Sequence, residues 1–83
     1  MGEVFTMPKG QKARVLMFLQ KFGSITPYDA LKEFGIMRLS AIIFELRYDE
    51  ENPLPIATKM ERSINRFGEP VRYARYVLLE ESE

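Results

Sequence analysis

The chain has 83 residues, 46% of them hydrophobic, which is enough for one compact core but not for two. Cysteine and histidine are both absent, and this excludes disulfides, the usual zinc sites and any nucleophile activated by histidine. The sequence contains neither an apolar run near the ~20 residues of a membrane-spanning helix nor a secretory signal pattern. We therefore expect a non-enzymatic cytoplasmic domain that needs no metal or cofactor.

Positive charge is concentrated in the part of the chain that we expect to fold. The 12 Lys and Arg residues are balanced by 12 Asp and Glu residues, but residues 9–47 carry seven basic and three acidic side chains. Residues 56–76 carry five basic and two acidic side chains. The remaining acidic residues lie at Glu3, in the segment 49–51 and in the tail 80–83. This separation favours a nucleic-acid partner, because affinity for DNA comes largely from neutralisation of phosphates.

The first of three predicted helices follows a short arm. Residues 1–8 show no apolar period, and we interpret them as a flexible N-terminal arm. Helical spacing of apolar residues then predicts a helix over residues 10–22. Gly23 ends this helix, since glycine readily adopts the left-handed conformation found at helix C-termini. The apolar side of the helix consists of Val15, Leu16, Leu19 and Phe22.

The second predicted helix has strong start and stop signals. A short extended connector precedes Thr26, whose hydroxyl can accept a hydrogen bond from the first turn. Asp29 stands three residues later, as in a capping box, and Pro27 suits the first helical position. Gly35 ends the pattern, so we predict a helix over residues 27–34.

A third helix follows Gly35 after a turn of only a few residues. Two helices joined by a short turn that contains glycine are typical of a helix-turn-helix. We predict this third helix over residues 37–48, with an apolar stripe formed by Leu39, Ile42, Ile43 and Leu46.

The chain then changes from a helical to a strand pattern. Residues 56–64 and 71–79 are rich in β-branched and aromatic side chains, and the turn-rich segment 65–70 separates them. The order of helix, short strand, helix, helix and hairpin predicts an α+β fold. We expect a winged helix-turn-helix, in which a three-helix bundle is followed by a β-hairpin wing, over residues 9–79, and then an acidic tail over residues 80–83.

These residues resemble a known family, the small winged helix-turn-helix domains of bacteriophage and bacterial mobile-element proteins. The resemblance covers residues 9–79 of this chain. It implies a protein that binds double-stranded DNA, as a small transcriptional regulator or an architectural factor. The segments that carry it are residues 11–16, 23–27, 30–31, 35–36, 38–39 and 43–47.

The third helix is the first candidate for DNA contact. With its apolar stripe turned inward, its outer side carries Ser40, Ala41, Phe44, Glu45 and Tyr48, flanked by Arg38 and Arg47. Arg38 is the best candidate for a base edge, because the first turns of a recognition helix face the groove and Arg can pair bidentately with guanine. Ser40 and Ala41 are small enough for close approach.

Further cations are expected to contact phosphates. Arg62 and Arg66 lie on the predicted wing, where they can follow the backbone or enter a minor groove. Lys12 and Arg14 lie near the start of the first helix. The predicted DNA-binding set is Lys12, Arg14, Arg38, Ser40, Ala41, Arg47, Arg62 and Arg66.

A winged-helix module that binds protein rather than DNA is the alternative, and the zero net charge favours it. Phe44 could meet a thymine methyl group, or be covered by Tyr48, by a partner subunit or by the acidic segment 49–51. In this alternative a homodimer or another protein partner binds through exposed aromatic residues. The surface would comprise Phe44, Tyr48, Tyr73, Val77 and the methionines.

Overall fold

A computed structural model describes residues 9–79, so the predicted arm 1–8 and the predicted acidic tail 80–83 lie outside the described residues. Three helices and a three-stranded antiparallel sheet confirm the predicted α+β fold. The elements in chain order are α1 Gln11–Phe22, β1 Ser24–Ile25, α2 Pro27–Phe34, α3 Leu39–Arg47, β2 Ile56–Ile64 and β3 Pro70–Leu78.

Helix α2 begins and ends where its local chemistry predicts. The Thr26 hydroxyl accepts a hydrogen bond from the Asp29 amide at 3.1 Å, and the Asp29 carboxylate accepts one from the Thr26 amide at 3.0 Å. Gly35 ends the helix in the left-handed conformation, with φ of 68°. The next amide, of Ile36, donates back to the carbonyl of Ala30 at 3.1 Å. This closure turns the chain sharply and brings Ile36 into the core.

Helix α3 is shorter than the predicted 37–48. The chain needs residues 35–38 to cross from α2 to α3, because Ile36 is buried beneath the turn. Arg38 is therefore the N-cap residue, and its side chain makes no capping hydrogen bond. Tyr48 lies just beyond the last turn, and its amide donates to the Phe44 carbonyl at 3.0 Å.

One core lies between the three helices and the base of the sheet, and it confirms the apolar stripe predicted for α3. Phe22 is a correction, because it was expected on the inner side of α1 but is 62% exposed. Phe18, one turn earlier, lies against Phe34 of α2 with ring centroids 5.9 Å apart, which leaves Phe22 at the outer edge. The core consists of Val15, Leu19, Ile25, Ala30, Ile36, Leu39, Ile42, Ile43, Leu46 and Ile56.

The hairpin of β2 and β3, which we call the wing, is joined to the helices at its base. Strand β3 lies in the middle of the sheet and pairs with β2 along its length, from Ile56 opposite Leu78 to Ile64 opposite Pro70. Strand β1 adds only two pairs, Ser24 with Val77 and Ile25 with Tyr76. Burial along β2 falls from the buried Ile56 to exposed residues near the tip, so the wing projects away from the core.

The phase of α3 is tested by three single substitutions. We expect Leu39→Ala and Leu46→Ala each to lower the free energy of unfolding by about 2–5 kcal/mol, because each removes buried methyl groups and leaves a cavity. Ser40→Ala is the matched control on the exposed side and should cost less than about 0.5 kcal/mol. Urea denaturation measures all three, and equal losses would show that the stripe is wrongly placed.

Candidate nucleic-acid interface

The outer side of α3 is exposed and partly aromatic. Phe44 and Tyr48 are 62% and 61% exposed, and their ring centroids are 4.7 Å apart. Tyr48 therefore covers part of Phe44, which is one of the arrangements predicted from the sequence. Ser40 is exposed and Ala41 is half-buried on the same side. The helix therefore presents two small residues near its start, and two rings tilted by 52° relative to each other lie near its end.

One flank of α3 borders an open depression of about 140 Å³. Arg38 and Glu45 lie two helical turns apart along it, with Ala41 and Ile42 between them, and Gln11 of α1 also lines it. Neither Arg38 nor Glu45 forms an ion pair or a hydrogen bond through its side chain with another residue of the range 9–79. The flank therefore carries one accessible positive charge and one accessible negative charge.

Arg47 connects α3 to the wing. Its Nε donates to the Ile56 carbonyl at 3.0 Å, and its Nη2 donates to the Thr58 hydroxyl at 2.9 Å. The guanidinium is planar and presents its donors in a fixed fork, so two bonds to one strand orient that strand relative to the helix. Contact of Arg47 with DNA stays a prediction. The geometry gives it a positioning role that sequence reasoning missed.

Two arginines of the wing lie side by side. Arg62 on β2 is directly opposite Arg72 on β3, and both are exposed. Residues directly opposite in an antiparallel pair project from the same face with Cβ atoms about 5 Å apart, and like charges in that position destabilise the sheet. Neither side chain makes a hydrogen bond or an ion pair with the rest of the described chain. We call these two residues the arginine pair.

The arginine pair lies on the face of the wing that is turned toward α3. Alternate residues of a strand share a face, so Arg62 projects on the same side as Ile56 and Thr58. Ile56 is in the core, and Thr58 accepts a hydrogen bond from Arg47 of α3. Arg72 was not in the predicted set, since locating it opposite Arg62 requires the register of the hairpin.

On the opposite face of the wing, Arg75 is paired with other residues of the chain. Arg75 donates through Nε to the Glu61 carboxylate at 2.9 Å and through Nη1 to the Ser24 hydroxyl at 3.0 Å. The bond from Arg75 holds the pKa of Glu61 below its usual value, and the bond to Glu61 raises the pKa of Arg75. A hydrogen bond to the same carboxylate raises the pKa of Tyr73. This network connects the wing to β1, and Glu61 balances the charge of Arg75.

Arg66 lies at the wing tip, within a turn held by Asn65. The Asn65 side-chain oxygen accepts hydrogen bonds from the amides of Phe67 at 2.9 Å and Glu69 at 3.0 Å. Gly68 has φ of 79°, which suits glycine. The guanidinium of Arg66 lies 5.8 Å from the centre of the Phe67 ring. The tip therefore displays a cation and an exposed ring on an ordered turn.

Near the start of α1, Lys12 forms an ion pair with Asp49 of the acidic segment 49–51. The Lys12 ammonium lies 3.6 Å from the Asp49 carboxylate, while Asp49 also accepts hydrogen bonds from the amides of Asn52 and Glu51 at 2.8 Å each. These two amide bonds are the main reason that the pKa of Asp49 is lowered. Lys12 is therefore paired within the chain, and Arg14 is half-buried. Asp49 of this segment thus contacts α1, and Phe44 remains largely exposed.

Residues 9–79 carry neither a metal-binding cluster nor a membrane-spanning helix. Nowhere in this range do three or more Asp and Glu side chains come together as they would to hold a metal ion. None of the helices described is long and apolar enough to cross a membrane.

The comparison with known families agrees with this geometry. A sequence model of the family described as the winged helix-turn-helix domain matches residues 10–81, which is most of the chain. The chain therefore belongs to the winged helix-turn-helix domain family, with α2 and α3 as the helix-turn-helix and β2 and β3 as the wing. No curated protein matches the chain in sequence.

The connection between α3 and the wing is tested at Arg47. We expect Arg47→Ala to lower the free energy of unfolding by about 1–3 kcal/mol, because it removes two hydrogen bonds from a charged donor. Thr58→Val is the matched control, since it removes one of the two acceptors and should cost less. A double-mutant cycle from urea denaturation measures the coupling, and additive losses would show that the two side chains do not interact.

Proposed function

We propose that this protein binds double-stranded DNA, with α3 in the major groove and the wing on the flanking backbone. The observation that carries the proposal is the arginine pair on the face of the wing turned toward α3. Two unpaired arginines directly opposite each other in an antiparallel pair repel each other in the free protein. Phosphate oxygens bound between them relieve that repulsion and form charge-assisted hydrogen bonds.

The overall charge of residues 9–79 supports the same proposal. This range contains all 12 Lys and Arg residues but only eight of the 12 Asp and Glu residues, so its formal net charge is +4. Segment 49–51 carries three of those acidic residues and lies near α1. The arginine pair and Arg66 then supply the positive charge that a duplex backbone requires.

Helix α3 supplies the contacts that distinguish one base pair from another. Arg38 at its start is exposed and its side chain makes no hydrogen bond or ion pair within the described residues, so it is free to reach the edge of a guanine. Ser40 and Ala41 allow the helix to approach closely. In this proposal Lys12 and Arg14 contact phosphates at the edge of the site, and Lys12 exchanges its ion pair with Asp49 for a phosphate.

The biological role is a narrower prediction. We propose a small transcriptional regulator or architectural factor of a phage or mobile element, acting in the cytoplasm of a bacterial cell. Its support is the resemblance of the sequence to that group of domains.

Binding to a protein partner is the second candidate function. The observation in its favour is the pair of exposed rings, Phe44 and Tyr48, at the C-terminal end of the outer face of α3. Large exposed apolar side chains in contact with each other are characteristic of protein interaction surfaces. A homodimer through these rings is the simplest form of this candidate.

The DNA proposal is tested by removing one member of the arginine pair at a time. We expect Arg62→Ala and Arg72→Ala each to weaken binding to unrelated duplexes alike. Each should also reduce the slope of log affinity against log salt concentration by about one unit, because one phosphate contact is lost. Lys59→Ala is the matched control, since Lys59 is exposed on the opposite face of the wing and should have a smaller effect.

Arg38→Ala separates base contacts from backbone contacts in the same assay. Loss of a base contact should cost about 1–3 kcal/mol on a preferred site and reduce the difference between sequences. Binding is measured by fluorescence anisotropy with labelled duplexes at several salt concentrations. The proposal is wrong if the unmodified protein shows no salt-dependent binding at ~50 mM salt and ~100 µM protein, which lies beyond the usual range for non-specific affinity.

A further inference from the structure

The outer face of α3 carries a second apolar line besides the one that forms the core. Ala41, Phe44 and Tyr48 follow each other at intervals of three and four residues, so they lie along one side of the helix. Met37, just before the helix, is 85% exposed. Such a line on an exposed helix is typical of the seam between two packed helices.

The charges beside this line are complementary to a copy of themselves. Arg38 and Glu45 border the same depression on one flank of α3. They are seven positions apart, which is about 10 Å along a helix, too far for an ion pair within one chain. In an antiparallel pair related by a two-fold axis, each flank meets the same flank of the second copy. Arg38 of each copy then meets Glu45 of the other, which gives two ion pairs.

The same register matches a large side chain to a small one. If the two-fold axis passes midway between Arg38 and Glu45, it crosses the helix between Ala41 and Ile42. Phe44 of one copy then lies about 3 Å from Ala41 of the other, measured along the helix axis, since each residue adds about 1.5 Å. A ring opposite a methyl group packs as a knob into a hole.

From this match of charge and shape, we infer that the outer face of α3 forms an antiparallel homodimer with a second copy of this chain. Two short helices bury less area than a standard stable interface, so the association is weak and reversible. If α3 also enters the major groove, as proposed above, the dimer and the duplex compete for one face. This competition rests on the proposed DNA binding, whereas the self-association develops the second candidate function and does not require DNA binding.

Charge reversal tests the dimer, with sedimentation velocity across the micromolar range as the measurement. The unmodified protein should form more dimer as its concentration rises. Arg38→Glu and Glu45→Arg should each weaken association roughly tenfold or more, since each replaces two attractions by two repulsions. The double variant should dimerise again, and so should an equimolar mixture of the two single variants. Lys32→Glu on α2 is the control charge reversal and should have no effect.

Several results would overturn the dimer. These are a protein that stays monomeric at the highest concentration, single reversals that associate as well as the unmodified chain, or a mixture that remains monomeric. Circular dichroism melting confirms that each variant is folded. Phe44→Ala is an independent variant that should also weaken the dimer, because it removes the packed ring while leaving both charges.

Addition of duplex DNA separates this inference from the proposed function. A duplex that binds and converts dimer to monomer supports both the dimer and the competition. A duplex that does not bind and leaves the dimer intact overturns DNA binding while the dimer stands. A duplex that binds the intact dimer overturns the competition.

Discussion

The register of the wing is the constraint on which the candidate interface depends. Asn65 holds the turn, and the pairing that follows sets Ile56 in the core and Arg62 opposite Arg72. A slip by one residue would move every side chain of β2 to the other face. Ile56 would then leave the core and Arg62 would leave the side of α3. Burial of one residue at the base thus fixes the position of a charge near the tip.

The hydrogen bonds of Arg47 hold α3 and the wing in a fixed position relative to each other. Through its bonds to Ile56 and Thr58, this side chain sets where the arginine pair lies relative to the outer face of the helix. That outer face combines a cation at its start with apolar rings at its end. We propose two different occupants for it, the edge of a base-paired groove and the same face of a second copy. Competition between them would make DNA binding depend on protein concentration.

Much of the fold was predictable because its signals are local. The Thr26 and Asp29 capping box, the left-handed Gly35 and the inward stripe of α3 each follow from residues close together in sequence. The start of α3 was placed too early because the burial of Ile36 is a tertiary effect. Phe22 was placed wrongly for a similar reason, since Phe18 takes the space against α2.

The site was less predictable because it depends on pairing between distant residues. Arg38 and Arg62 could be chosen as exposed cations from helical phase and from position in the hairpin. Arg72 could not be matched to Arg62 without the register. Arg47 could not be distinguished from a solvent-exposed charge without its acceptors on β2, and Lys12 could not be paired with Asp49 without the path of the loop.

We propose that α3 and the α3-facing side of the wing form one surface for duplex DNA. Titration of the ¹⁵N-labelled protein with a short duplex, followed by amide chemical shifts, tests it most directly. We expect the largest shifts in α3 and in residues 60–74 of the wing, and we expect them to fade together as salt is added. Shifts centred on α2 and the end of α1, with α3 and the wing unchanged, would contradict it.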